Sequence, residues 1–84
     1  MTRAELVAAL RQRGAPDWLY VLDGGLGTGE CYGIEPHGGG WRLYYSERGG
    51  KSALASFPDE DAACRGLLAR IAADPTWQKT GGGA

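Results

Sequence analysis

Two hydrophobic periods alternate along this chain, and each change of period marks an element. Thr2-Arg3-Ala4-Glu5 has the S/T-x-x-E form, in which a threonine caps the third helical amide and the glutamate reaches back. Leu6, Val7 and Leu10 then repeat at helical spacing up to Gly14, which predicts a first helix over about residues 3 to 13. Pro16 stops any continuation, and the aromatic and β-branched run in DWLYVLDGG predicts a short strand at about 18 to 22. GGLGTG, next in line, is too rich in glycine to be anything but a loop.

ECYGIE and WRLYYSE, joined by PHGGG, predict two paired strands. Their register can be tested on both faces at once. If Ile34 faces Leu43, then Tyr32 faces Tyr45 on the same apolar side. The other side then sets Glu35 against Arg42, an ion pair, and lays Tyr44 across Gly33, which has no side chain of its own. A slip of one residue destroys both matches. After the turn RGG, in which Glu47 is expected to pair with Lys51 across the ladder, KSALASF supplies another strand. Its alternation sets Ala53, Ala55 and Phe57 against Ser52, Leu54 and Ser56.

Asp59 stands where a helix N-cap belongs, with Glu60 and Asp61 in the first turn, where the helix dipole favours negative charge. Ala63, Cys64, Leu67, Leu68 and Ile71 form one apolar stripe that ends near Asp74-Pro75. The fold expected is α+β, in the order α-β-β-β(-β)-α, with a small antiparallel sheet and both helices packed on one face. Residues 1 to 75 form the domain, and the polar, glycine-rich segment 76 to 84 is a tail expected to fray. The helices should cover Tyr32, Ile34, Leu43 and Tyr45. Glu35, Arg42, Tyr44 and Ser46 are then left on an open face.

Eighty-four residues suit one domain, and a core this small buries only about 60% of the surface that the unfolded chain exposes. Nine basic against ten acidic residues give a net charge of −1, without the concentrated positive face of a phosphate-backbone binder. No run is long and apolar enough to span a membrane, and MTRAELVAAL lacks the h-region and cleavage site of a signal peptide, so a soluble cytoplasmic protein is expected. Cys31 and Cys64 lie 33 positions apart without a CxxC, and one histidine cannot complete a zinc site. Both cysteines are expected to be reduced, buried thiols, with neither metal nor cofactor.

Gly50-Lys51-Ser52 has the ending of a P-loop, but the glycine required five positions earlier is Tyr45, and a strand rather than a helix follows. His37 has no adjacent nucleophile or orienting partner, and Cys31, which the register above points away from the core beside Ser46, could act as a nucleophile only if His37 folded back across the hairpin, so no catalytic set emerges. The order of elements is also that of double-stranded-RNA-binding domains. Those place lysines at the start of the second helix to meet phosphates; here that start is Asp59-Glu60-Asp61, of the opposite sign. Trp41, Leu43 and Tyr45 are expected in the core. Tyr44, Arg42 and Arg48 are expected at an exposed face and its edge, where such residue types anchor protein interfaces.

The phrase W-x-L-Y-Y-S-E-R-G at 41–49, followed by Phe57, E-D-A-A-C at 60–64 and a leucine-rich helix, resembles small immunity proteins encoded beside bacterial polymorphic toxins. The likeness covers about residues 2 to 73. It implies a cytoplasmic antitoxin, monomeric when free, with no catalysis of its own. Such a protein binds one cognate toxin domain as a heterodimer and blocks its active site, with neither nucleic acid nor membrane as partner. The resemblance extends to antidotes of secreted toxins that cleave NAD. A toxin that grips phosphates offers a basic cleft, which Glu30, Glu35, Glu47 or the cluster of Asp59 and Glu60 could enter as phosphate mimics. The partner-binding set expected is Glu35, Arg42, Tyr44, Glu47, Arg48, Asp59 and Glu60. The competing readings are a small accessory subunit for an unrelated protein and a double-stranded-RNA-binding-like module.

Overall fold

A computed structural model of the chain describes residues 1–24, 30–47 and 50–74. Helix α1 runs Arg3–Gln12, strand β1 Tyr20–Val21, β2 Cys31–His37, β3 Gly40–Glu47, β4 Gly50–Phe57 and helix α2 Glu60–Ala73. The four strands form one sheet in the order β1-β2-β3-β4. This is the expected small α+β fold, with one difference in its sheet. β1 pairs with β2 in parallel, Tyr20 beside Tyr32 and Val21 beside Gly33, so the sheet is mixed rather than wholly antiparallel.

Both helix starts are built as their sequences dictate. Thr2 accepts from the Glu5 amide at 3.2 Å while Glu5 accepts from the Thr2 amide at 2.8 Å, a complete capping box. Asp59 accepts from the Ala62 amide at 2.8 Å. Helix α1 ends on Gly14, whose φ of +81° is the left-handed conformation that glycine tolerates. Ala15 then donates to the Leu10 carbonyl, and both side chains are buried. The strand expected at 18 to 22 is shorter than its pattern suggests. Pro16 holds an extended entry into a single 3-10 turn at Asp17–Leu19, which tucks Leu19 into the core and leaves Trp18 54% exposed.

The core lies between the two helices and one face of the sheet. Leu6 and Leu10 of α1, Ile34 and Leu43 of the sheet, and Ala63, Cys64, Leu67 and Ile71 of α2 meet there, fully or almost fully buried. Trp41 and Phe57, cross-strand neighbours, pack against its rim, with the Arg3 guanidinium 5.5 Å from the centroid of the Trp41 ring. The register of β2 and β3 is the one expected, with Ile34 opposite Leu43, Tyr32 opposite Tyr45, Gly33 opposite Tyr44 and Glu35 opposite Arg42. Tyr45, expected in the core, is half-buried and stands outside that cluster.

Between β3 and β4 the register shifts. Leu43 pairs with Ala55 but Tyr44 with Ala53, so Leu54 is an extra residue, a β-bulge, with 37% of its surface exposed. The expected alternation of Ala53, Ala55 and Phe57 on one face therefore fails at Ala53. Ala55 lies with Leu43 on the helix side, whereas Ala53 lies with Tyr44 on the other. The same shift sets Ser52 beside Tyr45 and Lys51 beside Ser46.

Candidate partner-binding surface

The sheet face away from the helices is not open in the way the sequence suggested. Tyr44 has no exposed surface, Cys31 has none, and Ser46 is 1% exposed. The Tyr44 ring lies across Gly33, where a Cβ atom would come within 2.7 Å of Cε2 and closer still to Cζ. Lys51 closes the ring from above, with Nζ 4.7 Å from the ring centroid. It also bonds to the Gly24 carbonyl and donates to Glu35 Oε1 at 2.9 Å, drawing the chain at Gly24 onto this face. Tyr44 is thus a second, small packing centre and not an exposed anchor. Its hydroxyl pKa is pushed up to about 12, first by burial and then by the negative charge of Glu35.

Glu35 holds that centre together. Its Oε2 accepts from Arg42 Nε at 2.8 Å and from Arg42 Nη2, while Oε1 takes Lys51. Burial alone would raise its pKa. The hydrogen bonds and charges of Lys51 and Arg42 outweigh burial and hold the carboxyl below its ordinary value. The Glu35 side chain is 13% exposed and that of Arg42 28%, so the pair is an internal brace with a partly wet edge. The pairing of Glu47 with Lys51 does not form. Lys51 sits opposite Ser46 and turns to Glu35, and Glu47 lies opposite Gly50, exposed.

The acidic start of α2 is also engaged internally. Asp59 is the cap, Glu60 accepts from the Arg3 amide at 3.1 Å with the Arg3 guanidinium beside it, and Asp61 meets the Met1 amine and Arg65 Nε. Those two partners hold the Asp61 carboxyl below its ordinary pKa. These contacts tie the two helix starts together. Arg48 lies outside the described residues.

The opposite end of the sheet is different. On the helix side the rings of Tyr32 and Tyr45 meet at 5.1 Å between centroids, tilted by 60°. The Tyr32 hydroxyl donates to Asp74 at 2.8 Å, just past the end of α2, and the Tyr45 hydroxyl donates to Glu30 at 2.6 Å, just before β2. Burial and then the bond to Asp74 push the Tyr32 hydroxyl up to about 12; the bond to Glu30, more than burial, pushes up that of Tyr45. Tyr32, Tyr45, Arg70, Ala73 and Asp74 line a hollow of ≈ 370 Å³. Of the carboxylates considered as phosphate mimics, Glu30 and Glu47 are exposed and flank Tyr45, whereas Glu35, Asp59 and Glu60 brace the fold.

Cys31 and His37 occupy the two ends of β2, six residues and thus about 20 Å apart along an extended strand. Both cysteines are buried and outside any disulfide, and burial raises both thiol pKa values, that of Cys31 against a smaller opposing contribution from its hydrogen bond with Ser46. Among the described residues no helix is long and apolar enough to cross a membrane, and no group of three or more His, Cys, Asp or Glu is placed to hold a metal. No protein-family model, curated protein or solved structure matches this chain.

Proposed function

We propose that this protein is a cytoplasmic immunity protein that binds a cognate secreted toxin domain and blocks its active site, without chemistry of its own. The family-like phrases fall largely on framework. Trp41, Leu43, Tyr44, Ser46, Phe57, Ala63 and Cys64 pack the sheet to α2 or bury the second face. The observation that carries the reading is what this frame leaves outward. Glu30 and Glu47 stand exposed around a half-buried tyrosine pair, at the end of the sheet farthest along β3 from Gly40. Aromatic area beside exposed carboxylates is the chemistry of a protein interface that meets a basic partner. A toxin cleft that holds the phosphates of NAD or of a nucleic acid is such a partner.

Co-expression with the toxin domain encoded beside it tests the proposal. Rescue of growth together with co-purification of a one-to-one complex is the expected result. Failure of both withdraws the reading in favour of an accessory subunit for another protein.

A further inference from the structure

We propose that the hollow between Tyr32, Tyr45 and the end of α2 seats one arginine side chain of the protein partner. The inference rests on the protein-binding reading above and names the contact through which that binding is made.

Geometry is the first argument. Tyr32 and Tyr45 are a cross-strand pair on the helix side, where Tyr32 packs against the edge of the core and Tyr45 stands outside it. The β4 neighbour of Tyr45 is Ser52, set there by the bulge at Leu54, and a serine is too small to cover the flank of a tyrosine ring. Ala73 on α2 is equally small. The resulting hollow of ≈ 370 Å³ has aromatic and methyl walls and a charged rim, and a single extended side chain matches that volume better than a folded element does.

Charge is the second. Glu30 and Asp74 accept from the two tyrosine hydroxyls and are thereby fixed at the rim, and Glu47 lies close enough for its charge to act on Tyr45. Among the described residues, Asp74 and Arg70 line the hollow, and Glu30 and Glu47 add negative charge beside the Tyr45 ring. An anion would be repelled, and a purely apolar group would gain nothing from the exposed charges of Glu30 and Glu47. A guanidinium satisfies every part: its plane stacks on a tyrosine face and its fork reaches a carboxylate with two donors. Arg70 is the local competitor, since it brings the same charge to the same hollow.

The test uses the whole chain and short capped peptides. Tyrosine ring resonances of the labelled protein are followed by NMR as Gly-Arg-Gly, or its neutral citrulline counterpart, is added. The arginine peptide is expected to shift the Tyr32 and Tyr45 rings along a saturable curve while the citrulline peptide leaves them in place. Glu30→Gln should weaken the apparent affinity about five-fold, and Arg70→Ala should strengthen it by about two- to five-fold. Equal shifts from both peptides, an unchanged affinity in Glu30→Gln, or shifts at Tyr20 and Tyr44 but not at Tyr32 and Tyr45 would overturn the assignment. The outcome is separable from the co-expression result. A chain that rescues growth but ignores the peptide keeps the immunity reading and loses this seat; a chain that seats the peptide but fails to rescue does the reverse.

Discussion

The packing of Tyr44 over Gly33 is open to a quantitative test, because two substitutions that look mild in isolation should interact strongly. Gly33 lies in a strand with backbone angles that an alanine adopts, so Gly33→Ala on an empty strand would stabilise by about 0.5–1 kcal/mol through lost chain entropy. Here the new Cβ would lie within 2.7 Å of Tyr44 Cε2 and nearer still to Cζ and Oη. The ring cannot swing aside, since it has no exposed surface and Lys51 lies against it. Overpacking of this kind costs about 1–3 kcal/mol, so the net change should be a loss of about 0.5–2 kcal/mol. With a urea m-value of about 1 kcal/mol/M for a domain this small, the midpoint should fall by about 0.5–2 M. Tyr44→Val removes the ring and by itself should cost about 2–4 kcal/mol as a cavity opens. In that background the alanine has room, and Gly33→Ala should become neutral or slightly stabilising, giving a coupling energy of about 1–3 kcal/mol. Equal effects of Gly33→Ala in both backgrounds would refute the reasoning and return Tyr44 to an open surface.

Three further outcomes follow from the same structure. Glu35→Gln strands two cations on a partly wet face and should cost about 1–3 kcal/mol near neutral pH, less than a fully buried pair because Arg42 and Lys51 keep some solvent. Because folding lowers the Glu35 pKa, its contribution is present above the ordinary carboxyl range and is lost as pH falls through the lowered value. The gap between wild type and Glu35→Gln in urea titrations should therefore close in acid, and a gap that widens there would contradict the brace. Thr2→Ala and Asp59→Ala each delete a cap and should lower stability by about 0.5–2 kcal/mol, read as a drop in thermal midpoint; no change in either would dismiss that cap. Cys31 and Cys64 should resist a disulfide reagent in the folded protein and react fully in denaturant, whereas fast native labelling would place a thiol at the surface.

Much of the fold is legible in the sequence wherever two independent patterns agree. The β2 and β3 register was legible because Ile34 with Leu43 fixed one face while Gly33 with Tyr44 and Glu35 with Arg42 fixed the other. The caps and the α2 stripe were legible because each is local, within four or five residues. Other features were not local. Alternation says that Tyr44 faces away from Leu43 but not what covers it, and the cover comes from Lys51 and from the chain at Gly24, distant in sequence. The bulge was hidden because S-A-L-A-S reads alike from either side of Leu54, so small residues fit before and after a one-residue shift. Nothing in YV encodes strand direction, hence the unforeseen parallel pair.

The candidate surface shows the same division. Arg42 and Tyr44 are interface residue types and Glu35 is a candidate phosphate mimic, but the register that sets them on one face also lets them satisfy one another. Glu30 and Tyr45 lie fifteen residues apart and meet only through the hairpin, and Asp74 reaches Tyr32 across forty-two residues, so no spacing along the chain could have joined them.

The most direct test of the proposal that this chain is an antidote is growth of cells expressing a toxin domain encoded beside its gene, with and without this protein. Restored growth and a stable one-to-one complex on purification are expected, both weakened by Glu30→Gln with Glu47→Gln and both kept by Cys31→Ser with His37→Ala. Unrestored growth with no complex formed would contradict it.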